Sequence, residues 1–324
     1  MTARVVMNHH ETSFLTMWTA LAVAGIVVAH AAQQPASAPA STASKVVLLG
    51  TGTPAATPDR SGPATAIVVN DTAYLVDFGP GVVRRASAAA SSRGIAALQP
   101  TRLQVAFVTH LHSDHTVGYA DLIFSPWTLG RRVPLEVYGP RGLKGMTTHL
   151  IEAYKVDIET RTNADGNQRT FPDGYKVNAH EIAAGVVYTD KNVTVTAFAT
   201  KHAMESYGYR FDTPDRSIVI SGDTNPTQAT IDACRGCDVL IHEVHTSAWL
   251  ATRPEAGGAP AGTFRRFSEK YHTTTEQLGE LALRAKPRLL ILYHYNSLTP
   301  EELQSDMMKH YSGQFVIGRD LDVY

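Results

Sequence analysis

The segment 109–115 reads Thr-His-Leu-His-Ser-Asp-His and follows directly on the apolar run Leu103–Val108. Its imidazoles and its carboxylate are the donors that bind zinc and similar divalent ions in proteins. Folding alone does not require so many costly polar side chains at the end of a strand. The segment therefore predicts a metal site, and a metal site of this kind usually serves hydrolysis.

The spacing within this segment suggests more than one ion. If the strand continues to Thr109, His110 and His112 project from the same side, with Cα atoms about 6–7 Å apart. That separation suits two ligands of one ion. Asp114 and His115 then lie on the turn beyond the strand, where they can reach a second ion. A single four-coordinate site would not need all four side chains.

Length and charge limit the possible classes of protein. The chain has 324 residues, a formal net charge of −1, 44% hydrophobic residues and 18% charged residues. This is ordinary globular composition, sufficient for one large domain or two small ones. The near-neutral net charge gives no sign of the basic surface that binds nucleic acid, so no nucleic-acid partner is expected.

The N-terminal segment has the character of a targeting signal. Phe14–Ala29 is uncharged and mostly apolar, and it ends in Ala29-His30-Ala31, which resembles a cleavage site. We interpret residues 1–31 as a signal peptide, which predicts a secreted or periplasmic protein without a stable membrane span. An uncleaved membrane anchor is the alternative, although the run is slightly short. Residues 32–44, rich in Pro, Ala and Ser, form a predicted flexible linker.

The chain has two cysteines, Cys234 and Cys237, in a Cys-x-x-Cys spacing. An exported protein meets oxidising conditions, so a local disulfide is one interpretation. A zinc knuckle would need a second pair of ligands, which is not evident nearby. The simplest interpretation is two small residues near the end of a helix.

In residues 45–324 strands precede helices in each half, which predicts one domain of two sheets with helices outside. Strands are predicted at Lys45–Leu49, Ala64–Val69, Tyr74–Asp77, Leu103–Thr109, Leu135–Tyr138, Val177–Ala183, Val186–Tyr188, Val193–Thr200, Tyr207–Phe211, Ser217–Ser221, Val239–Ile241 and Leu289–Tyr293. Helices are predicted at Val82–Ser92, Leu143–Tyr154, Ile231–Cys234, Thr274–Ala285 and Pro300–Tyr311. His202, Asp223 and His294 each stand just past one of these strands, as the first motif does, and are candidate ligands.

Several segments in chain order form one set. They are Gly50–Pro54, Arg60–Ala64, Val76–Gly79, His110–His115, His202–Arg210, Ser221–Thr224 and Leu292–His294. This set resembles the metallo-β-lactamase superfamily, in the branch that contains ribonuclease Z, RNase-Z-like phosphodiesterases and zinc-dependent arylsulfatases. The resemblance covers essentially all of residues 45–300. It implies the αββα sandwich, an α/β fold of two mixed β-sheets flanked by helices.

The resemblance also implies a dinuclear zinc site. His110, His112 and His202 would bind one ion, and Asp114, His115 and His294 would bind the other. Asp223 would bridge the two. Asp114 would also orient the attacking water, whose pKa such sites lower toward neutrality.

Two further residues resemble motifs of that branch. We predict that His272, oriented by Glu243, stabilises or protonates the departing oxygen. The alternative is that His272 only caps the following helix. His242 and His245, on either side of Glu243, are weaker candidates, since proximity to one acid does not make them ligands.

The expected substrate is a small anionic ester, either a phosphodiester or a sulfate ester. In ribonuclease Z a long arm lies between the segments that correspond to Gly208–Arg210 and Ser221–Thr224, and the few residues between them here leave no room for it. The alternatives are lactone or β-lactam hydrolysis, tRNA 3′-processing, and a non-catalytic metal-binding protein. The stretch Trp249–Tyr271 is interpreted as a Gly-rich loop whose aromatic residues and arginines could cover an aromatic, anionic ligand. A disordered surface excursion is the alternative. A homodimer is expected by analogy only.

Overall fold

The computed structural model describes residues 43–163, 171–253 and 260–324, which belong to one compact unit, Ser41–Tyr324. The predicted signal peptide and residues 32–42 of the predicted linker lie outside the described residues. The linker boundary needs a correction at its end, because Ser44 is buried. Its backbone nitrogen donates to Asp215 Oδ2 at 2.9 Å and its hydroxyl to Thr213 Oγ1 at 3.0 Å. The folded domain therefore begins before Lys45.

The described residues form thirteen strands and ten α-helices. The strands are β1 (Lys45–Gly50), β2 (Ala64–Val69), β3 (Thr72–Val76), β4 (Val105–Phe107), β5 (Leu135–Gly139), β6 (Val177–Glu181), β7 (Gly185–Thr189), β8 (Thr194–Ala199), β9 (Tyr207–Asp212), β10 (Ser217–Ile220), β11 (Val239–His245), β12 (Leu289–Asn296) and β13 (Phe315–Ile317). The α-helices are α1 (Val82–Ser92), α2 (Ser113–Thr116), α3 (Tyr119–Thr128), α4 (Leu143–Ala153), α5 (Lys155–Thr162), α6 (Gln228–Cys234), α7 (Ser247–Ala251), α8 (Thr263–Tyr271), α9 (Thr275–Ala285) and α10 (Pro300–His310).

Two mixed sheets form the centre of the fold, as expected. One has the strand order β1-β2-β3-β4-β5-β6 and the other the order β13-β12-β11-β10-β9-β8-β7. Each sheet combines antiparallel pairs, such as β2 with β3, and parallel pairs, such as β10 with β11. The strands β9 and β10 are joined directly as an antiparallel hairpin.

The core explains why the strands are apolar on both faces. In β1, Val46 and Leu48 pack between the two sheets, whereas Val47 and Leu49 pack against the helices outside the first sheet. Residues of α6, α9 and α10 cover the outer face of the second sheet. Successive side chains of a strand point to opposite faces of its sheet. A sheet that is covered on both faces therefore needs continuous apolar runs in its strands. The result is the four-layer αββα sandwich.

Three details differ from the sequence predictions. The strand before the metal motif is Val105–Phe107 rather than Leu103–Thr109, because the Thr109 nitrogen donates to Asp77 Oδ1 at 2.8 Å instead of continuing the ladder. The stretch 249–271 carries the end of α7 and all of α8 where a loop was expected. Cys234 and Cys237 lie at and just beyond the end of α6 and are joined by a disulfide, so of the two interpretations the local disulfide holds.

Candidate metal centre

The loop after β4 and the helix α2 that follows it carry four of the candidate ligands. The chain leaves β4 at Phe107 and enters the short helix α2, whose entry is stabilised by the Thr116 hydroxyl donating to the His112 carbonyl at 2.8 Å. His110 and His115 are fully buried, whereas His112 is half-buried. His112 thus lies on the loop between β4 and α2.

The other candidate ligands come from the ends of the second sheet. His202 follows β8, Asp223 follows β10 and His294 lies near the end of β12. Opposite His294, the pairing of β11 with β12 shifts register, and His294 has φ 44°. Bulges and left-handed backbone of this kind re-aim side chains at functional sites.

Gly222 lets the two sheets approach at this point. Its φ is +61°, and a Cβ added there would lie 2.8 Å from the Cβ of Thr109. A side chain at position 222 would push Asp223 away from the loop after β4. The sequence Ser-Gly-Asp-Thr therefore needs its glycine for close approach.

The structure brings all seven predicted ligands together as two groups. In the first group, His112 Nδ1 lies 3.0 Å from both His110 Nε2 and His202 Nε2, and Asp223 Oδ2 lies 4.0 Å from His110 Nε2. The second group comprises Asp114, His115 and His294. Within each group the ligand atoms lie within 4.8 Å of one another. This division agrees with the one that the sequence resemblance implied.

Asp223 lies between the two groups. Its Oδ1 is 3.4 Å from His115 Nε2 and 3.4 Å from His294 Nδ1. These three buried atoms have no hydrogen-bond partner among the described residues. Buried polar atoms are normally satisfied, so this convergent set fits a binding site for a cation. The donor set of imidazoles and carboxylates suits zinc.

The charges of the site favour cation binding. Burial lowers the pKa of His110 well below its usual value, so its neutral imidazole offers a lone pair. Burial opposes ionisation of Asp223, but the neighbouring His294 and His115 hold the pKa of its carboxyl well below its usual range. Burial also opposes protonation of His115, but Asp77 and Asp223 raise its pKa well above the usual value. The pocket around His115 therefore stabilises positive charge.

Asp77 is a site residue that the sequence analysis did not assign. It is buried, its Oδ2 lies 2.9 Å from His115 Nδ1, and its Oδ1 accepts a hydrogen bond from the Thr109 nitrogen. It thereby fixes the ring of one candidate ligand and the loop that carries the others. A carboxylate behind a metal-binding histidine is the usual arrangement in metal sites. The Val-Asp-Phe-Gly motif was the available signal.

His272 and Glu243 form a buried pair beside the ligands. His272 Nδ1 lies 2.9 Å from Glu243 Oε1, which also accepts a hydrogen bond from the Thr224 nitrogen at 2.8 Å. Burial raises the pKa of Glu243. Burial lowers the pKa of His272, but the charge and hydrogen bond of Glu243 outweigh it and raise that pKa to about 9. The helix α9 is capped by Thr274, so His272 is not its capping residue.

A cavity of about 540 Å³ opens onto this cluster. Asp114, Asp223, His272 and His294 line it on one side. A second set of lining residues comes from elsewhere in the chain: His245, Trp249, Arg253, Phe264 and Phe267. Of the two weaker histidine candidates, His245 therefore borders the cavity.

Comparison with known proteins identifies the family. A family model described as a beta-lactamase superfamily domain matches residues 72–295. The chain belongs to the metallo-β-lactamase superfamily. Its relatives place it in the branch that contains ribonuclease Z. A protein named ribonuclease Z from Mycobacterium sp. (strain KMS) is 35% identical over 257 residues, which are 78% of this chain and 84% of that protein.

A further relative and two solved structures are also similar to this chain. A protein named ribonuclease Z from Mycobacterium bovis is 29% identical over 288 residues, covering 86% of this chain and 96% of that protein. A metallo-β-lactamase fold protein of Bacillus subtilis has a TM-score of 0.63 at 18% identity and covers 87% of this chain and 100% of that one. The short form of human tRNase Z has a TM-score of 0.59 at 20% identity, covering 86% and 98%. These two structures support the fold.

One expectation is corrected by these comparisons. The near-neutral charge led us to expect no nucleic-acid partner, which is wrong because the relatives are named ribonuclease Z. Net charge sums over the whole chain and does not describe the field at one site. In a metal-dependent hydrolase, bound cations also supply positive charge that the amino-acid composition does not count.

Among the described residues, no helix is long and apolar enough to cross a membrane.

Proposed function

We propose that this chain hydrolyses phosphodiester bonds with two bound zinc ions, and that its substrate is an RNA or a related nucleotide ester. The observation that carries the proposal is the convergence of His115 Nε2, Asp223 Oδ1 and His294 Nδ1, which are buried and have no hydrogen-bond partner in the part of the chain that the structure describes. The relatives named ribonuclease Z support the choice of a phosphodiester. A sulfate ester has a similar charge and shape, but no relative reported above is named for that activity.

Each part of the cluster has a role in this proposal. The first group of ligands and Asp223 would hold one zinc ion, and the second group would hold the other, with Asp223 shared. Two bound zinc ions would supply positive charge for the anionic transition state and acidify a water molecule. Asp114 lines the cavity and would accept a hydrogen bond from the attacking water, which orients it.

His272 would assist departure of the leaving group. Its Nδ1 is taken by Glu243, so Nε2 is the ring nitrogen that remains to donate a proton toward the cavity. Its raised pKa, about 9, keeps the ring protonated at neutral pH. Glu243, held by the Thr224 nitrogen, fixes the ring and balances its charge. This arrangement suits a general acid that protonates a departing oxygen.

The proposal is tested on metal-loaded protein. We expect about two zinc ions per chain by elemental analysis, as two-metal sites require. A panel of bis-aryl phosphate, short RNA, tRNA precursor, aryl sulfate, lactone and β-lactam should show turnover of the phosphodiesters. Removal of metal with a chelator should abolish this turnover, and added zinc should restore it. Turnover of only the sulfate, lactone or β-lactam would contradict the phosphodiester assignment, and no turnover at all would leave a metal-binding protein.

We also propose that the protein is exported. The uncharged apolar run and its Ala-His-Ala end suggest a signal peptide, and the disulfide between Cys234 and Cys237 supports an oxidising compartment. Expression of the full chain followed by cell fractionation and N-terminal sequencing tests this. A mature N-terminus just after Ala31 is the expected result, and a cytoplasmic protein with an intact N-terminus would contradict it.

A further inference from the structure

Part of the cavity lining is built from aromatic side chains. Trp249 of α7 and Phe264 of α8 lie edge to face, with ring centroids 6.1 Å apart. Phe267, one helical turn after Phe264, lies 5.7 Å from the ring of His272. All three aromatic residues are half-buried and line the cavity. The aromatic wall thus extends from α7 to the proposed general acid.

Arg253 adds a charge to this wall. Its guanidinium lies 4.7 Å from the centroid of the Trp249 ring, and the residue lines the cavity. A planar guanidinium on an indole ring leaves its N–H groups free to contact an anion or a ring edge. By contrast, Arg265 and Arg266 of α8 are exposed and do not line the cavity.

His245 provides a buried polar group in the same region. It is 2% exposed, its Nδ1 lies 3.4 Å from the Thr246 carbonyl, and its Nε2 has no hydrogen-bond partner among the described residues. Its ring centroid is 6.0 Å from that of Trp249. An unsatisfied buried nitrogen beside a cavity indicates a ligand group that would satisfy it. Asn296, with Oδ1 accepting from Thr53 at 3.3 Å, adds an amide to the same lining.

His242 is a natural comparison within the same strand. It is equally buried, its Nδ1 lies 2.7 Å from the Glu243 carbonyl, and its Nε2 also lacks a partner among the described residues. It does not line the cavity, whereas His245 does. The two residues therefore separate the effect of removing a buried histidine from the effect of removing a cavity contact.

We propose that Trp249, Phe264 and Phe267, with Arg253, His245 and Asn296, form a subsite for a nucleobase attached to the scissile phosphate. The aromatic wall would stack on the base, and the polar groups would hydrogen-bond its edge. An aliphatic ligand would leave the nitrogen of His245 unsatisfied, and a purely ionic ligand would not use the rings. This inference rests on the proposed phosphodiesterase function and specifies its substrate class.

Calorimetric binding to the zinc-loaded protein tests the subsite without turnover. The ligands are adenosine 5′-monophosphate, phenyl phosphate and ribose 5-phosphate, which carry a nucleobase, a simple ring and no ring. We expect the nucleotide to bind roughly 5- to 100-fold more tightly than ribose 5-phosphate, as base stacking on aromatic side chains provides. Phenyl phosphate should fall between them. Trp249→Ala should remove most of the nucleotide's advantage and leave ribose 5-phosphate binding unchanged, and Trp249→Phe should retain part of it.

The controls separate the possible failures. His245→Gln should weaken nucleotide binding, whereas His242→Gln should not. Equal affinity for all three ligands would overturn the subsite and leave the proposed function intact. Equal affinity for phenyl phosphate and the nucleotide would show an aryl site and overturn the nucleobase assignment. Loss of affinity for every ligand in Trp249→Ala would also overturn it, because the effect would then be structural. If none of the three phosphate ligands binds, the result would count against the proposed function itself.

Discussion

The metal-binding side of the cavity and its aromatic side differ in where their residues come from. The candidate ligands lie on the loop after β4, on the short helix α2, after β8 and β10 and near the end of β12, and most of them are buried. Trp249, Phe264 and Phe267 lie on two short helices, α7 and α8, and are half-buried. Buried side chains are held in place by the packing around them, whereas half-buried side chains in the cavity wall can vary with less disturbance to the chemistry. The reaction and the substrate preference should therefore respond to different substitutions.

The largest effect should come from Asp223→Ala. This carboxylate contacts both groups of ligands, so its loss should lower the zinc content of the purified protein and reduce phosphodiester turnover to the background rate. Elemental analysis and the bis-aryl phosphate assay measure the two effects. Asp238→Ala, which removes a carboxylate bonded to the Ser217 nitrogen away from the cavity, is the matched control. Undiminished turnover in Asp223→Ala would refute the dinuclear mechanism.

His272→Gln should leave the metals in place but slow the reaction. Loss of a general acid typically costs about 10²- to 10⁴-fold in rate. The loss should be greatest for alkoxide leaving groups, such as those of RNA, and small for p-nitrophenol, which departs without a proton. Comparing kcat for these two kinds of substrate is the decisive measurement. An equal loss for both would show that His272 only positions the site.

The pH dependence should report the same residue. The donor is the protonated form of His272, so activity is present below its pKa and is lost as the pH rises through it. That pKa is raised to about 9 by Glu243, against the effect of burial, and nearby bound cations would lower it. We therefore expect kcat/KM on an alkoxide substrate to fall at or below pH 9, and the fall to be absent in His272→Gln. A fall that persists in the variant would assign it to another group.

The two sides of the cavity also differ in how far their residues could be predicted from sequence. The first motif packs its ligands into one loop, and each later ligand follows an apolar strand, so position alone indicated them. The positions of Arg265 and Arg266 were not foreseen, because the segment was treated as a loop. In α8 the helical period places Phe264 and Phe267 on one face and these arginines on another, and that period was present in the sequence.

Asp77 was missed for a different reason, and Asp77→Asn gives the mildest test. The Val-Asp-Phe-Gly motif marked this position but not its partner, and the role of Asp77 follows from the 2.9 Å contact between its Oδ2 and His115 Nδ1. Asparagine tolerates the φ of 61° at this position, so the variant removes the charge without straining the backbone. Loss of such a partner typically lowers metal affinity about 10- to 100-fold. Competition with a chelator measures that affinity, and Asp190→Asn, which alters the acceptor of the Tyr74 hydroxyl away from the cavity, is the control. If Asp77→Asn binds zinc like the unaltered protein while Asp223→Ala does not, the negative charge of Asp77 is not needed to hold the ring of His115. The metal-binding side of the cavity would then tolerate a substitution as well.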